Sequence, residues 1–254
     1  MEKIASGHIS FWEGGSLWVF DVPPSATAPT RNARHAHHAF QLSFALGGRF
    51  ALHLADRVLP GPAALVAPDT PHAFEAQGLV ALLFVEPESR AGQALVRLMA
   101  GDPAATLSAE QARDAPSLIR QAFQSKDRKT ALSETGRQIC DRIAGHVATT
   151  TLDRRVRRMI RWAGEHLDGV PGVQEAAGSV GLSPSRASHL FVEQTGLPFR
   201  TYVLWLRLTR AVEAHTGGLS LTEAAQEAGF ADSAHLSRTF KRMFGMPAAS
   251  LEMS

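Results

Sequence analysis

Two stretches of this sequence place hydrogen-bonding side chains along one side of a short helix. In "GFADSAHLSRTFKRMFG" (Gly229 to Gly245), Leu236 and Phe240, with Phe230 from the turn, form an apolar side. Ser233, Ala234, His235, Ser237, Arg238, Lys241 and Arg242 are left outside or at the edges. In "GLSPSRASHLFVEQTG" (Gly181 to Gly196), Ala187, Leu190 and Phe191 point inward, and Ser185, Arg186, Ser188 and His189 point outward. Small polar groups, His and Arg near a helix N-terminus suit the reading of base edges. Arg bonds guanine bidentately, and Ser is short enough to let a helix enter the major groove. The solvated face of an ordinary helical bundle has similar composition, so one such helix decides little.

Two copies decide more, and the elements that hold them repeat as well. "VQEAAGSVGLSPSRASHLFVEQTG" aligns with "LTEAAQEAGFADSAHLSRTFKRMFG"; both contain Glu-Ala-Ala-x-x-x-Gly. Each unit has a short helix ending at a glycine, which suits the left-handed geometry of a tight turn, and then a capped second helix. Ser183 is the natural N-cap of the first, with Pro184 at the first helical position, and Asp232 caps the second. "SLTE" (Ser220 to Glu223) has capping-box spacing ahead of the preceding helix. One long helix, Phe199 to His215, joins the two helix–turn–helix units.

The rest of the chain has a different texture. In the first 90 residues, "SLWVFDV", "AFQLSFAL", "RFALHLA", "AALVAP" and "LVALLFV" read as short strands divided by Gly, Pro and Asp, the pattern of a sandwich or small barrel. Pro23 to Arg34 reads as a loop. From Glu88 onward the spacing is helical. Leu132, Gly136, Ile139, Ile143 and Val147 form a narrow stripe, suited equally to a dimer seam or to packing on its own domain. After Thr151 everything reads as helix, beginning with "DRRVRRMIRWAGEHL".

Composition bounds the class. With 254 residues, net charge +2 and 20% charged residues, the chain is neither a polycation nor a disordered tail. Its longest apolar run, Leu79 to Val85, is too short to span a bilayer. The start, "MEKIASGHIS", lacks the apolar region of a signal peptide. A single cysteine, Cys140, allows no intrachain disulfide and reads as a packed thiol. A reducing cytoplasm, with no membrane partner, is the expected setting.

Residues 153–250 resemble the DNA-binding domain of the AraC/XylS family of transcription regulators. The resemblance is carried by "GLSPSRASHLFVEQTG", "RLTRA" and "EAAQEAGFADSAHLSRTFKRMFGMPA". It implies two helix–turn–helix units on a rigid linker helix, reading successive major grooves on one face of double-stranded DNA. The positions matching the family's base readers are Ser185, Ser188 and His189, then Ser233, Ala234 and Arg238; Arg186, Lys241 and Arg242 suit phosphate contact. There are departures. Ala176 stands where the family usually has a larger aliphatic residue, Gly178 and Ser179 weaken the same helix, and the usual Pro-x-x-Tyr ending reads "MPAAS".

"HAHHAFQLSFALGG" and "GPAALVAPDTPHAF" resemble the two motifs of a cupin barrel. The positions matching the metal ligands of that fold are His35, His37, Gln41 and His72, with an amide where a carboxylate is usual. His35, His37 and Gln41 share one strand face by alternation, with Ser43 next, and Phe40, Leu42, Phe44 and Leu46 share the other. Parity alone does not say which face is interior. Zn²⁺ or another divalent transition metal, a metal-free effector pocket, or neither stay open. The chain thus reads as an α+β two-domain protein: a cupin-like β-barrel sensor (1–90), a helical linker and dimerisation segment (91–150), and an all-α domain with two helix–turn–helix units (151–254). The function expected is a non-enzymatic, homodimeric regulator binding DNA and a small-molecule or metal effector, with RNA polymerase a further candidate partner. The alternative is a cupin-type metalloenzyme with an accessory helical domain.

Overall fold

The computed structural model describes residues 5–24, 30–145, 152–248 and 251–253. Part of the expected 23–34 loop, Val147 of the helical stripe, the 150/151 boundary and the last two residues of "MPAAS" lie outside them. By contact density the chain divides into one unit of residues 1–148 and 240–254 and another of residues 149–239.

The first unit is built on an antiparallel sheet. Its strands are β1 (Ala5–Trp12), β2 (Gly15–Val22), β3 (Thr30–Arg31), β4 (Phe40–Ala45), β5 (Arg49–His53), β6 (Val58–Pro60), β7 (Ala63–Val66), β8 (Ala73–Val85), β9 (Ala104–Thr106) and β10 (Leu251–Met253). The main ladder runs β10-β1-β2-β8-β4-β7-β9, with β10 parallel to β1. β8 is long enough to serve two sheets. Its second half pairs with β2 and β4, and its first half with β3 and β5. The switch falls at Gly78, whose φ is +71° and where a Cβ would lie 2.9 Å from Gly48 Cα. Only glycine takes that backbone without strain at so close an approach. The sequence suggests a closed barrel; among the described residues no pairing joins β9 back to β10. The ladder is therefore open, and β8 divides its hydrogen bonds between two sheets.

Three helices complete this unit: α1 (Arg90–Met99), α2 (Ala115–Phe123) and α3 (Arg128–Ala144). They cover one face of the main ladder. Leu17, Val19, Leu42, Phe44, Leu83 and Val85 pack with Leu95, Ile119, Leu132 and Ile139 in one core. The narrow stripe on α3 is therefore used inside the unit. At Gly136 a Cβ would stand 2.2 Å from the Trp12 ring, so a side chain there has to displace that ring. Cys140 belongs to the same core, and burial pushes its thiol up to about 12.

The second unit holds α4 (Arg154–Glu165), α5 (Val173–Gly178), α6 (Pro184–Thr195), α7 (Phe199–Thr216), α8 (Leu221–Glu227) and the first turns of α9 (Ser233–Phe244). Val156, Met159, Ala163, Ala177, Phe191, Phe199 and Tyr202 form its core. The caps match their local signals. Ser183 Oγ accepts from the Arg186 amide, Ser220 and Glu223 form a reciprocal capping box, and Asp232 Oδ1 accepts from the His235 amide. Gly181 and Gly229 take φ of +69° and +76° in the two turns. At Gly229 a Cβ would lie 2.2 Å from Leu167 O. The arginine run is partly structural. Arg155 pairs with Asp153 at 2.7 Å and Arg158 donates to Ser179 O at 2.7 Å, while Arg154 and Arg161 face solvent.

Candidate DNA-contacting faces and effector site

On α6 the buried residues are Ala187, Phe191 and Thr195, and Leu190 is partly buried against the same core. Ser185, Arg186 and His189 are exposed, whereas Ser188 is half-buried and turns its hydroxyl back to Pro184 O at 2.9 Å. On α9 Leu236 and Phe240 are buried, Ala234, Arg238, Lys241 and Arg242 are exposed, and Ser233 is half-buried. His235 packs its ring edge-on against Phe230 at 5.1 Å. Each helix thus carries a short polar N-terminal face behind a glycine turn.

The histidine face of β4 is resolved by burial on both sides. α2 and α3 cover the side with Phe40, Leu42 and Phe44, so Gln41 and Ser43 face the interior of the sheet pair. His35, His37, Gln41, Ser43 and His72 are all buried. His35 and His72 exchange backbone hydrogen bonds at 2.9 Å, which sets their rings 4.4 Å apart. One ring nitrogen from each of His35, His37 and His72 lies within 4.8 Å of the others.

The hydrogen bonds identify that nitrogen. Nδ1 of His35, His37 and His72 sits 2.9, 3.0 and 2.8 Å from the carbonyl oxygens of Ala33, Ala39 and Thr70. A carbonyl only accepts, so the single proton of each neutral ring is on Nδ1. Three Nε2 lone pairs then face inward. Gln41 Oε1 is 3.1 Å from His37 Nε2 and 3.4 Å from His72 Nε2, and its amide NH₂ donates to Ser43 Oγ at 3.1 Å. The rings are neutral in this setting. Burial, then the charge of His72, pushes His35 down to about 4; burial also holds His37 well below and His72 below the usual histidine range.

Other residues at this site carry little sequence signal. His38 is 3.0 Å from Glu88 and 3.5 Å from Asp69. Burial opposes its charge, but hydrogen bonds and charges from Asp69 and Glu88 outweigh this and raise it to about 9. The pair ties the segment carrying His35 and His37 to the end of β8. Beside His35 and Gln41 lies a cavity of about 70 Å³ walled by Trp18, Phe20, Phe74, Phe84, Phe244 and Met246. Asn32 closes one side, accepting from Phe74 N at 2.7 Å and donating to Phe244 O at 2.8 Å.

A duplicated helix–turn–helix thus accompanies a sheet-built unit that holds a histidine cluster and a small cavity. Residues 176–252 match the family model described as a helix-turn-helix domain. The arabinose operon regulatory protein of Escherichia coli (strain K12) is 32% identical over 96 residues, which is 37% of this chain and 33% of that protein. An uncharacterized HTH-type transcriptional regulator of the same strain, YpdC, is 36% identical over 66 residues, 26% of this chain and 23% of that protein. The chain therefore spans a third or less of the curated relatives it matches, and its carboxy-terminal segment holds a helix-turn-helix domain. The fold is similar over nearly the whole length to ToxT from Vibrio cholerae O395, with a TM-score of 0.58, 10% identity and 94% and 96% of the two chains covered. It is also similar to unsaturated fatty acid bound wild-type ToxT from strain SCE256, with a TM-score of 0.57, 11% identity and 93% and 94% covered.

Proposed function

We propose that this protein is a sequence-specific DNA-binding transcription regulator whose first unit senses a small molecule or a metal ion. The carrying observation is the pair of capped helices behind positive-φ glycines, α6 with Ser185, Arg186 and His189 exposed and α9 with Arg238, Lys241 and Arg242 exposed. In this reading Ser185, Ser188, His189, Ser233, Ala234 and Arg238 face bases, and Arg186, Lys241 and Arg242 face phosphates. The sensor is of cupin kind, the working form is a cytoplasmic homodimer, and RNA polymerase is its partner at promoters. Among the described residues no helix is long and apolar enough to cross a membrane, which accords with this setting. ToxT, which shares the fold, has been seen with a fatty acid bound. The matched relatives are regulators, which supports a non-enzymatic role.

The donor set favours a cation at the histidine cluster. Three Nε2 lone pairs converge beside the Gln41 side-chain amide, while the Nδ1–H of each ring is turned outward to a backbone carbonyl. Outward Nδ1–H bonds to backbone carbonyls are also the usual support of metal-bound histidines. Zn²⁺ or another divalent transition metal suits three imidazoles and an amide. A two-His-one-carboxylate oxygenase centre needs an acid where Gln41 stands, which disfavours the enzyme reading. Elemental analysis of tag-free protein should give about one equivalent of metal per chain. The double change His37→Ala with His72→Ala should abolish it and leave DNA binding measurable. Metal far below one equivalent, not restored by added Zn²⁺ or Ni²⁺, leaves the metal-free pocket in its place.

A further inference from the structure

The cavity beside the histidines is small and its walls are unequal. Apolar side chains of β1, β2 and β8 with Phe244 and Met246 make most of its surface, and Thr30, Arg31, Asn32, His35 and Gln41 supply its polar part. At about 70 Å³ it is near half the roughly 150 Å³ of a cavity that takes up benzene. A ring-sized guest needs one wall to yield. The walls on β2, β4 and β8 are fixed by ladder hydrogen bonds on both sides. Phe244 and Met246 lie outside the ladder. They are held by the Asn32 Nδ2 bond to Phe244 O and the Ala33 N–H bond to Gly245 O, both 2.8 Å. Phe244 meets Trp18 and Phe240 with tilted rings at 4.8 Å each and Phe84 edge-on at 5.7 Å, so its displacement passes along the last turn of α9. The polar end sets the head group. His35 donates Nδ1–H to Ala33 O and offers a lone pair on Nε2. A hydroxyl oxygen satisfies that end in either state, by donating its proton to the lone pair or, ionised, by binding a cation held at the cluster.

We propose that this cavity takes a compact aromatic molecule carrying one hydroxyl, and that Phe244 and Met246 are the walls that yield, so that occupancy is read in the last turn of α9. The inference rests on reading the chain as an effector-responsive DNA-binding regulator. Phenol is the probe, titrated calorimetrically into the full chain after dialysis against EDTA and again after loading with Zn²⁺. Amide hydrogen exchange is followed over residues 240–248 and 30–36. Phenol should bind one per chain in at least one of the two forms and speed exchange at least fivefold in both segments. Ala76→Leu, which fills the cavity, should abolish binding while the protein keeps its thermal transition. Phe244→Ala, which opens the wall, should keep phenol binding and lose the exchange response. No binding in either form, binding that survives Ala76→Leu, or binding that leaves residues 240–248 unchanged would each overturn the proposal. A chain that selects no sequence from random DNA fails the regulator reading alone, since calorimetry and exchange judge the cavity without DNA.

Discussion

At the residue scale, the side chains divide into those that meet solvent and those whose partners are all internal. Arg238 is exposed on the polar face of α9, six residues after the cap at Asp232. Arg238→Ala should cost roughly 1–3 kcal/mol on the selected site and relax preference at one base pair, whereas Lys241→Ala should weaken all sequences about equally. Anisotropy titrations over single-base operator variants check this; equal losses on every variant for Arg238→Ala would remove it from base reading. His38 shows the opposite economy. Its pKa is raised to about 9 from 6.5 because Asp69 and Glu88 outweigh its burial. A raised folded value means stabilisation fully present below about pH 6.5 and lost as pH rises through about 9. Urea unfolding should therefore show stability falling over that window by on the order of 1–3 kcal/mol, less the screening of half-exposed Asp69. His38→Gln should flatten the fall, and an unchanged pH slope in that variant would contradict the assignment.

At the element scale, the two helix–turn–helix units differ in how their first helices are held. α8 starts in a reciprocal capping box. α5 has six residues, an N-cap glycine without a side-chain bond, and Gly178 at its end with no atom within 4 Å of an added Cβ. Gly178→Ala should then stabilise that helix by roughly 0.5–1 kcal/mol. The gain would appear as slower amide exchange in α5 and a higher thermal midpoint, and a loss of stability would show strain not visible at this position. Elements of this kind were legible in the sequence because their signals are local: a cap, a glycine, a proline at the first helical position. The strands were legible as strands, but the interior face of β4 was not. Parity names two faces, and here α2 and α3 bury the apolar one while the histidines face the inside of the sheet pair. The open pairing was hidden for a similar reason, since which end strands meet is set by long-range pairing that no local pattern carries. Asn32 and Phe244 meet across 212 residues of sequence, and no local pattern announces such a pair.

At the scale of the whole molecule, the sequence repeat and the fold describe one protein in two languages. The repeat places two reading helices on one linker helix, and the sheet-built unit supplies buried lone pairs and an apolar cavity. An effector would act by differing in affinity for two arrangements of the chain. The central claim is that both α6 and α9 read DNA. It is tested most directly by selecting binding sites from random DNA and footprinting the tightest with hydroxyl radicals. Two helices on one linker need two major-groove segments about one turn, or 34 Å, apart. The expected result is protection of two successive grooves on one face of the duplex for each protomer, with the first lost on Arg186→Ala combined with His189→Ala. Protection of a single groove, unchanged by that double substitution, would contradict it.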